Sequence, residues 1–580
     1  MNGARRRLAA ALCAGALCLT GCAGEETGYD VVIRGGTVYD GSGSPPVVAD
    51  VGIRGDRIAA LGNLSGAQAA QVLDASGMAV SPGFINMLSW ATESLIVDGR
   101  SLGDIRQGVT LEVFGEGSSM GPANDAMKAD FLEDFVSWLG GTEAAARALG
   151  LPPDAPLEVP WTTLGEYLGF LERKGVATNV ASFIGATTVR VHEIGYEDRP
   201  PTADELERMR ALVRTAMEEG AMGVGSSLIY TPGFFADTDE LIALSEVAAE
   251  YDGMYISHMR SEGARLLESV EELITIAREA GIRAQIYHLK AGGRENWHKM
   301  EDVIARVEQV RAEGLGITAD MYTYTAGSTG LDAAMPPWVQ EGGYDAWAER
   351  IRDPGIRARV VEEMRTPTDE WENLLLSSGP EGALLVGFRN EELRRYQGMT
   401  LAEVAEERGT PPEETAIDLV IEDGTRVQVV YFLMSEENVR RQIALPWVSF
   451  DSDAASMAPE GVFLQNSTHP RAYGNFARLL GRYVREEGVI PLEEAVRKLT
   501  SLPAANLRIS DRGRLAEGYF ADVVVLDPAT IIDHATYEDS HQLATGVTHV
   551  FVNGVMVLDD SEPTGAMSGR FVRGPGWAGR

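Results

Sequence analysis

Residues 253–293 read GMYISHMRSEGARLLESVEELITIAREAGIRAQIYHLKAGG, and their pattern sets the architecture. A short run rich in β-branched and aromatic residues ends at His258. An amphipathic stretch follows, with Leu266, Val270, Leu273, Ile274 and Ala277 at helical spacing and a stop at Gly281. A second β-rich run then ends at His288. Strand, helix and strand in so short a span form a crossover unit, whose two strands lie parallel.

The same alternation extends in both directions. MAVSPGFIN, VTLEVFG, TNVASFIG, MGVGSSL, GMYISHM, RAQIYHL, GITADMY and PWVSFDSD are strand-like runs, with helical stretches such as TADELERMRALVRTAMEEG between them. Eight strand-then-helix units predict an α/β fold, a (β/α)8 barrel over residues 81–510 with its functional residues at the strand ends. The gap near 325–445 is too long for one crossover and is read as an insertion. Residues 29–80 and 511–580 are strand-rich instead, as in YDVVIRGGTVYDG and THVFVNGVMVLDD. They are expected to form one small β-sandwich from both chain ends.

The N-terminus carries Arg5, Arg6 and Arg7 ahead of the apolar run Leu8–Leu19 and then Thr20-Gly21-Cys22. That run is shorter than the roughly 20 residues of a spanning helix, so residues 1–21 read as a signal peptide. The small residues before Cys22 resemble a bacterial lipobox, which implies cleavage there, lipid on the Cys22 thiol and a tether over residues 22–28. The expected location is an exported, membrane-anchored one facing the periplasm. Cys13, Cys18 and Cys22 are the chain's three cysteines. The mature chain therefore has no thiol for a disulfide or a buried metal. A formal charge of −36 excludes nucleic acid as a partner and leaves the lipid as the contact with membrane.

Two of eight histidines stand at the ends of neighbouring strands, which suits ligation of a divalent ion by His258 and His288; packed, hydrogen-bonded histidines are the alternative. The second run ends in FGEGSSMGP, where Glu116 sits between two glycines and is the best third ligand. In FDSDAAS, Asp451 and Asp453 share a strand face, and either could move a proton between water and a leaving amine. Arg260 reads equally as a binder of an anionic substrate or as the partner of Glu262. His192 reads as a loop residue and His298 as a helix start, whereas His469 with Arg471 suits either a loop over the site or packing.

With these residues in place the chain resembles the amidohydrolase superfamily and, within it, the D-aminoacylases. The resemblance rests on DVVIRGGTVYDGSG, DIRQGVTLEVFGEG, WTTLGEYLGFLERKGVATNVASFIG, GAMGVGSSLIYTPG, YISHMRSEG, QIYHLKAGG, ITADMYTYTAGSTG, HPRAYGNFARLLGRYVREEG and GRLAEGYFADVVVLDP. It implies metal-assisted hydrolysis of the amide in small anionic N-acyl-D-amino acids, with zinc as the metal. It also implies His258 and His288 as zinc ligands, Asp453 as the catalytic aspartate, and Tyr230, Lys290, Tyr322 and Ser328 as the substrate's holders.

Two departures stand out. Members of the family usually carry cysteine at the end of the second strand, where this chain has Glu116. The first strand normally ends in His-x-His, and PGFINMLSW shows Leu88 and Trp90 there, with Asn86 a poor substitute ligand. A mononuclear site is the expected outcome. Hydrolysis of a cyclic amide or a dipeptide, and ligand binding without catalysis, are the alternatives.

Overall fold

A computed structural model describes residues 28–152 and 154–579. The expected signal segment, Cys22 and nearly all of the tether lie outside these residues. Strands from the two chain ends meet in one nine-stranded sheet. The junction is antiparallel pairing of Ala79–Pro82 with Val523–Leu526, in the register Val80 opposite Val525. Ile33, Val51 and Ile58 from one end share an apolar cluster with Val523 and Phe551 from the other. The separate sheet domain built from both ends is therefore present. Its hydrogen bonding runs continuously through one sheet, where the sequence suggested two layers, with register shifts between Ile33 and Gly36 and between Val525 and Leu526.

Between the two ends lies a mixed α/β body. Phe84–Asn86, Val109–Phe114 and Asn179–Ser182 pair in parallel. Ile184–Gly185, Gly223–Ser227, Met254–His258, Arg283–Ile286 and Ile317–Ala319 form a second parallel sheet. The run PWVSFDSD joins by an isolated parallel bridge of Val448 to Ala319, and Ala454 just after it bridges Ser89. Each of the eight expected runs thus has parallel pairing with a neighbour.

The connecting helices carry the signals read from the sequence. Leu266–Glu279 buries Leu266, Val270, Leu273, Ile274 and Ala277. Ala203–Glu219 opens on a reciprocal cap between Thr202 and Glu205 and stops at left-handed Gly220; such a cap stabilises a helix by about 1 kcal/mol. The long gap holds a three-stranded antiparallel sheet of Gly327–Gly330, Gln428–Tyr431 and Ala383–Gly387, with helices such as Pro354–Arg365 and Pro412–Asp423 around it. No helix among the described residues is long and apolar enough to cross a membrane.

Candidate metal centre

The strand Val109–Phe114 delivers the chain into Gly115-Glu116-Gly117, where both glycines have positive φ, 111° and 65°. A Cβ on Gly115 would lie 2.4 Å from the Phe183 carbonyl oxygen, and one on Gly117 2.6 Å from Ser227 Cβ. Only glycines permit so close an approach, and the approach sends the Glu116 side chain inward. Its Oε1 lies 2.8 Å from His258 Nδ1 and 3.0 Å from His288 Nε2. All three side chains are buried, and their ligating atoms lie within 4.8 Å of one another. His258 closes its strand, whereas His288 follows its strand in a left-handed conformation, φ 33°.

A second carboxylate backs the imidazoles. Glu262 Oε1 lies 3.1 Å from His288 Nδ1, and Oε2 lies 3.5 Å from His258 Nε2. Lys290 Nζ donates to both Glu262 oxygens, at 2.7 and 2.9 Å. Burial works against the charge on Glu116, but His288 and His258 outweigh it and hold the carboxyl well below its usual range. Glu262 is held down in the same way, by His258, Lys290 and His288 against burial. Burial and Lys290 oppose a charged His288, yet Glu262 and Glu116 raise its pKa well above the ordinary value. The residues fit a divalent cation: two nitrogens and an oxygen converge without a thiolate, three protein donors leave a fourth position open, and a carboxylate backs both rings.

The opposite wall carries Asp453, in left-handed conformation at φ 44°. Its Oδ2 pairs with Arg471 Nη1 at 2.8 Å, and its Oδ1 accepts from Trp90 Nε1 at 3.0 Å. The Tyr322 ring lies between two cations, with the Arg471 guanidinium 4.4 Å and Lys290 Nζ 5.6 Å from its centroid. Tyr230 packs edge-on against His258 at 5.2 Å. Ser328, in the inserted sheet, offers its carbonyl to Arg471 Nη2 at 3.5 Å and donates its hydroxyl to the Val429 carbonyl. Glu116, His258, His288, Lys290, Tyr322 and Asp453 are thus brought to one end of the parallel strands, with Tyr230 and Ser328 at the margin.

Arg260 is a correction. Its guanidinium is committed to Glu272, at 2.9 Å, and to the carbonyls of Phe234 and Ala236. The Glu262 carboxylate pairs with Lys290 instead, so the reading of Arg260 as the partner of Glu262 does not hold. Asp451 and Asp453 also part company. The left-handed turn at Asp453 breaks strand alternation, leaving Asp451 fully buried while Asp453 keeps 11% of its side chain exposed. Burial, Asp320 and Asp453 push the Asp451 pKa well above its usual value.

His192 sits in the last turn of helix Ala186–Glu193 against Glu193. His298 precedes helix Met300–Ala312 in a 3-10 turn. His469 is buried, with Nε2 at 2.9 Å from the Ala326 carbonyl and Nδ1 accepting from the Arg471 amide. Burial first and then Arg471 keep its pKa well below normal, so it holds the start of the helix Arg471–Arg478 as a neutral ring. Glu262 is the main residue that the sequence left without a role in the site. Its place four residues after His258 was the available signal, spent on Arg260. Glu372, which accepts the Glu262 amide at 2.6 Å, gave no signal, because the insertion lacks the strand–helix rhythm that locates the other residues.

Residues 157–558 match the model of the amidohydrolase family. The D-aminoacylase of Alcaligenes xylosoxydans xylosoxydans is 32% identical over 93% of this chain and 97% of its own length. The chain is an amidohydrolase of the D-aminoacylase family. This amidohydrolase acts on carbon–nitrogen bonds other than peptide bonds. Two solved structures resemble it closely. One is the N-acyl-D-glutamate deacylase of Bordetella bronchiseptica complexed with zinc and a phosphonate inhibitor that mimics the tetrahedral intermediate. It has a TM-score of 0.75 and 29% identity, over 94% of this chain and 100% of that one. The other is a D-aminoacylase with a binuclear metal centre, described by one-metal activation and second-metal attenuation. It has a TM-score of 0.74 and 31% identity over the same shares.

Proposed function

We propose that this amidohydrolase removes the acyl group from N-acyl-D-amino acids at a site built for one zinc ion, on a closed (β/α)8 barrel. The observation that carries the reading is the convergence of Glu116 Oε1, His258 Nδ1 and His288 Nε2 opposite Asp453. Glu116, His258 and His288 would hold the ion. When bound, it supplies Lewis-acid polarisation of the scissile carbonyl and makes water more acidic.

The remaining steps fall to the chain's own side chains. Asp453 takes a proton from the attacking water and returns it to the departing nitrogen, which leaves as the free amine. Arg471, beside Asp453 and Tyr322, and Lys290, beside Tyr322, give the pocket a positive lining that suits an anionic substrate. Tyr322, Tyr230 and Ser328 border that lining. The inserted sheet borders the site through Ser328, whose carbonyl faces Arg471.

Leu88 is fully buried in an apolar cluster with Ile85, Met87, Val113 and Phe183, and Trp90 offers no metal-binding atom. That supports one ion where the related D-aminoacylase has a binuclear centre. A lipid anchor at Cys22, holding the enzyme at a membrane surface, completes the proposal.

The test is turnover of N-acetyl-D-amino acids beside their L forms and beside cyclic amides, with zinc measured in the same preparation. Release of free D-amino acid with about one zinc per chain is expected. Turnover restricted to L forms or to cyclic amides would remove the reading.

A further inference from the structure

The wall without metal-binding histidines is fastened to the strand end that carries Asp453. Asn86 accepts the Ser452 amide on Oδ1 and donates from Nδ2 to Ser452 Oγ, both at 2.8 Å. The Asp453 amide donates to the Leu88 carbonyl at 3.0 Å, and the Trp90 amide to the Ala454 carbonyl at 3.0 Å. The Trp90 indole then reaches Asp453 Oδ1 at 3.0 Å, while Arg471 pairs with Oδ2. One carboxylate oxygen therefore accepts a hydrogen bond from the indole, and the other is held by an ion pair. The restraint matters because Asp453 sits at φ 44°, a backbone state that costs a non-glycine residue about 1 kcal/mol or more and persists only when its neighbours hold it.

We infer that Trp90 is a positioning residue for Asp453: its indole N–H fixes the carboxylate in the orientation needed for proton transfer, and neither it nor the apolar, buried Leu88 supplies a donor for a second metal ion. The inference rests on the deacylase reading, in which Asp453 carries the proton. It adds that the histidine-free first strand is a working part of the site. Two consequences follow. The enzyme needs Trp90 for rate and not for substrate affinity, and excess zinc does not attenuate it.

The experiment compares wild type, Trp90→Phe and the double variant Leu88→His/Trp90→His, all as zinc-loaded full chains. Trp90 is 39% exposed, so Trp90→Phe keeps the ring and is expected to melt like wild type. Its kcat should fall about 10- to 100-fold with KM within about twofold, since misalignment of a reacting group costs rate at this scale. The solvent deuterium isotope effect on kcat should rise as proton transfer becomes slower. Zinc content should stay at about one per chain in wild type under excess zinc and rise to about two in the double variant, a readout independent of turnover.

Unchanged kcat and isotope effect in Trp90→Phe would overturn the positioning role. A second equivalent of zinc in wild type would overturn the claim that the first strand supplies no donor for a second ion. Absence of any N-acyl-D-amino acid turnover by wild type is a different result: it removes the deacylase reading and the positioning role with it, while the zinc titration still decides whether the site takes a second ion.

Discussion

Glu116 and His258 meet through a single contact, Oε1 to Nδ1 at 2.8 Å, and the same oxygen lies 3.0 Å from His288. One carboxylate oxygen thus serves both imidazoles. With an ion held there, Glu116→Gln should lower bound zinc from about one to below about 0.1 per chain and kcat by at least about 10³-fold, because the amide is a neutral, weak ligand. Glu116→Cys should keep zinc, since thiolate is a good zinc ligand, and should shift preference toward softer ions. Zinc content by mass spectrometry across the two variants checks both.

Glu262 stands behind both histidines and neutralises Lys290. Glu262→Gln leaves Lys290 2.7 Å from His288 Nδ1 without its charge partner. The expected loss is about 10- to 100-fold in zinc affinity, typical for removal of a group that orients a ligand. Competition against a chromogenic chelator measures it, and wild-type affinity in the variant would refute it.

Glu372 ties the insertion to the strand carrying His258, through the Glu262 amide. Burial, with Glu262 adding to it, pushes the Glu372 carboxyl up from 4.5 to about 7. Below pH 4.5 both the docked and the released segment are protonated and nothing is lost. Between 4.5 and 7 the docked form keeps a proton that the released form gives up, so docking weakens as pH rises, by about 3 kcal/mol in all. Hydrogen exchange, corrected for intrinsic rate, should therefore be faster at pH 8 than at pH 5 for residues 258–265 and 366–373. Glu372→Gln should remove the difference.

On the proposed lipid anchor, Cys22→Ala should move the protein from the membrane fraction to the soluble fraction without changing zinc content. Fractionation like wild type would contradict a lipid anchor at that residue.

Much of this architecture was legible in the chain, because strands buried between helices read as short β-branched runs and their ends mark where polar residues converge. His258, His288 and Glu116 were found that way. What stayed hidden depended on long-range geometry. Arg260 follows His258 by two residues, but its guanidinium is held by Glu272 on the following helix. Asp451 and Asp453 look equivalent in sequence, and only the left-handed turn at Asp453 separates a buried acid from one facing the mouth. Trp90 reads as a lost ligand until Asp453 is seen 363 residues away, accepting its indole proton.

The most direct measurement is anomalous diffraction from crystals of the zinc-loaded protein, collected on both sides of the zinc edge. One peak should appear at bonding distance, about 2.0–2.2 Å, from a Glu116 carboxylate oxygen, His258 Nδ1 and His288 Nε2. A peak that leaves Glu116 out, or a second peak beside Leu88 and Trp90, would contradict a single ion held by these three residues.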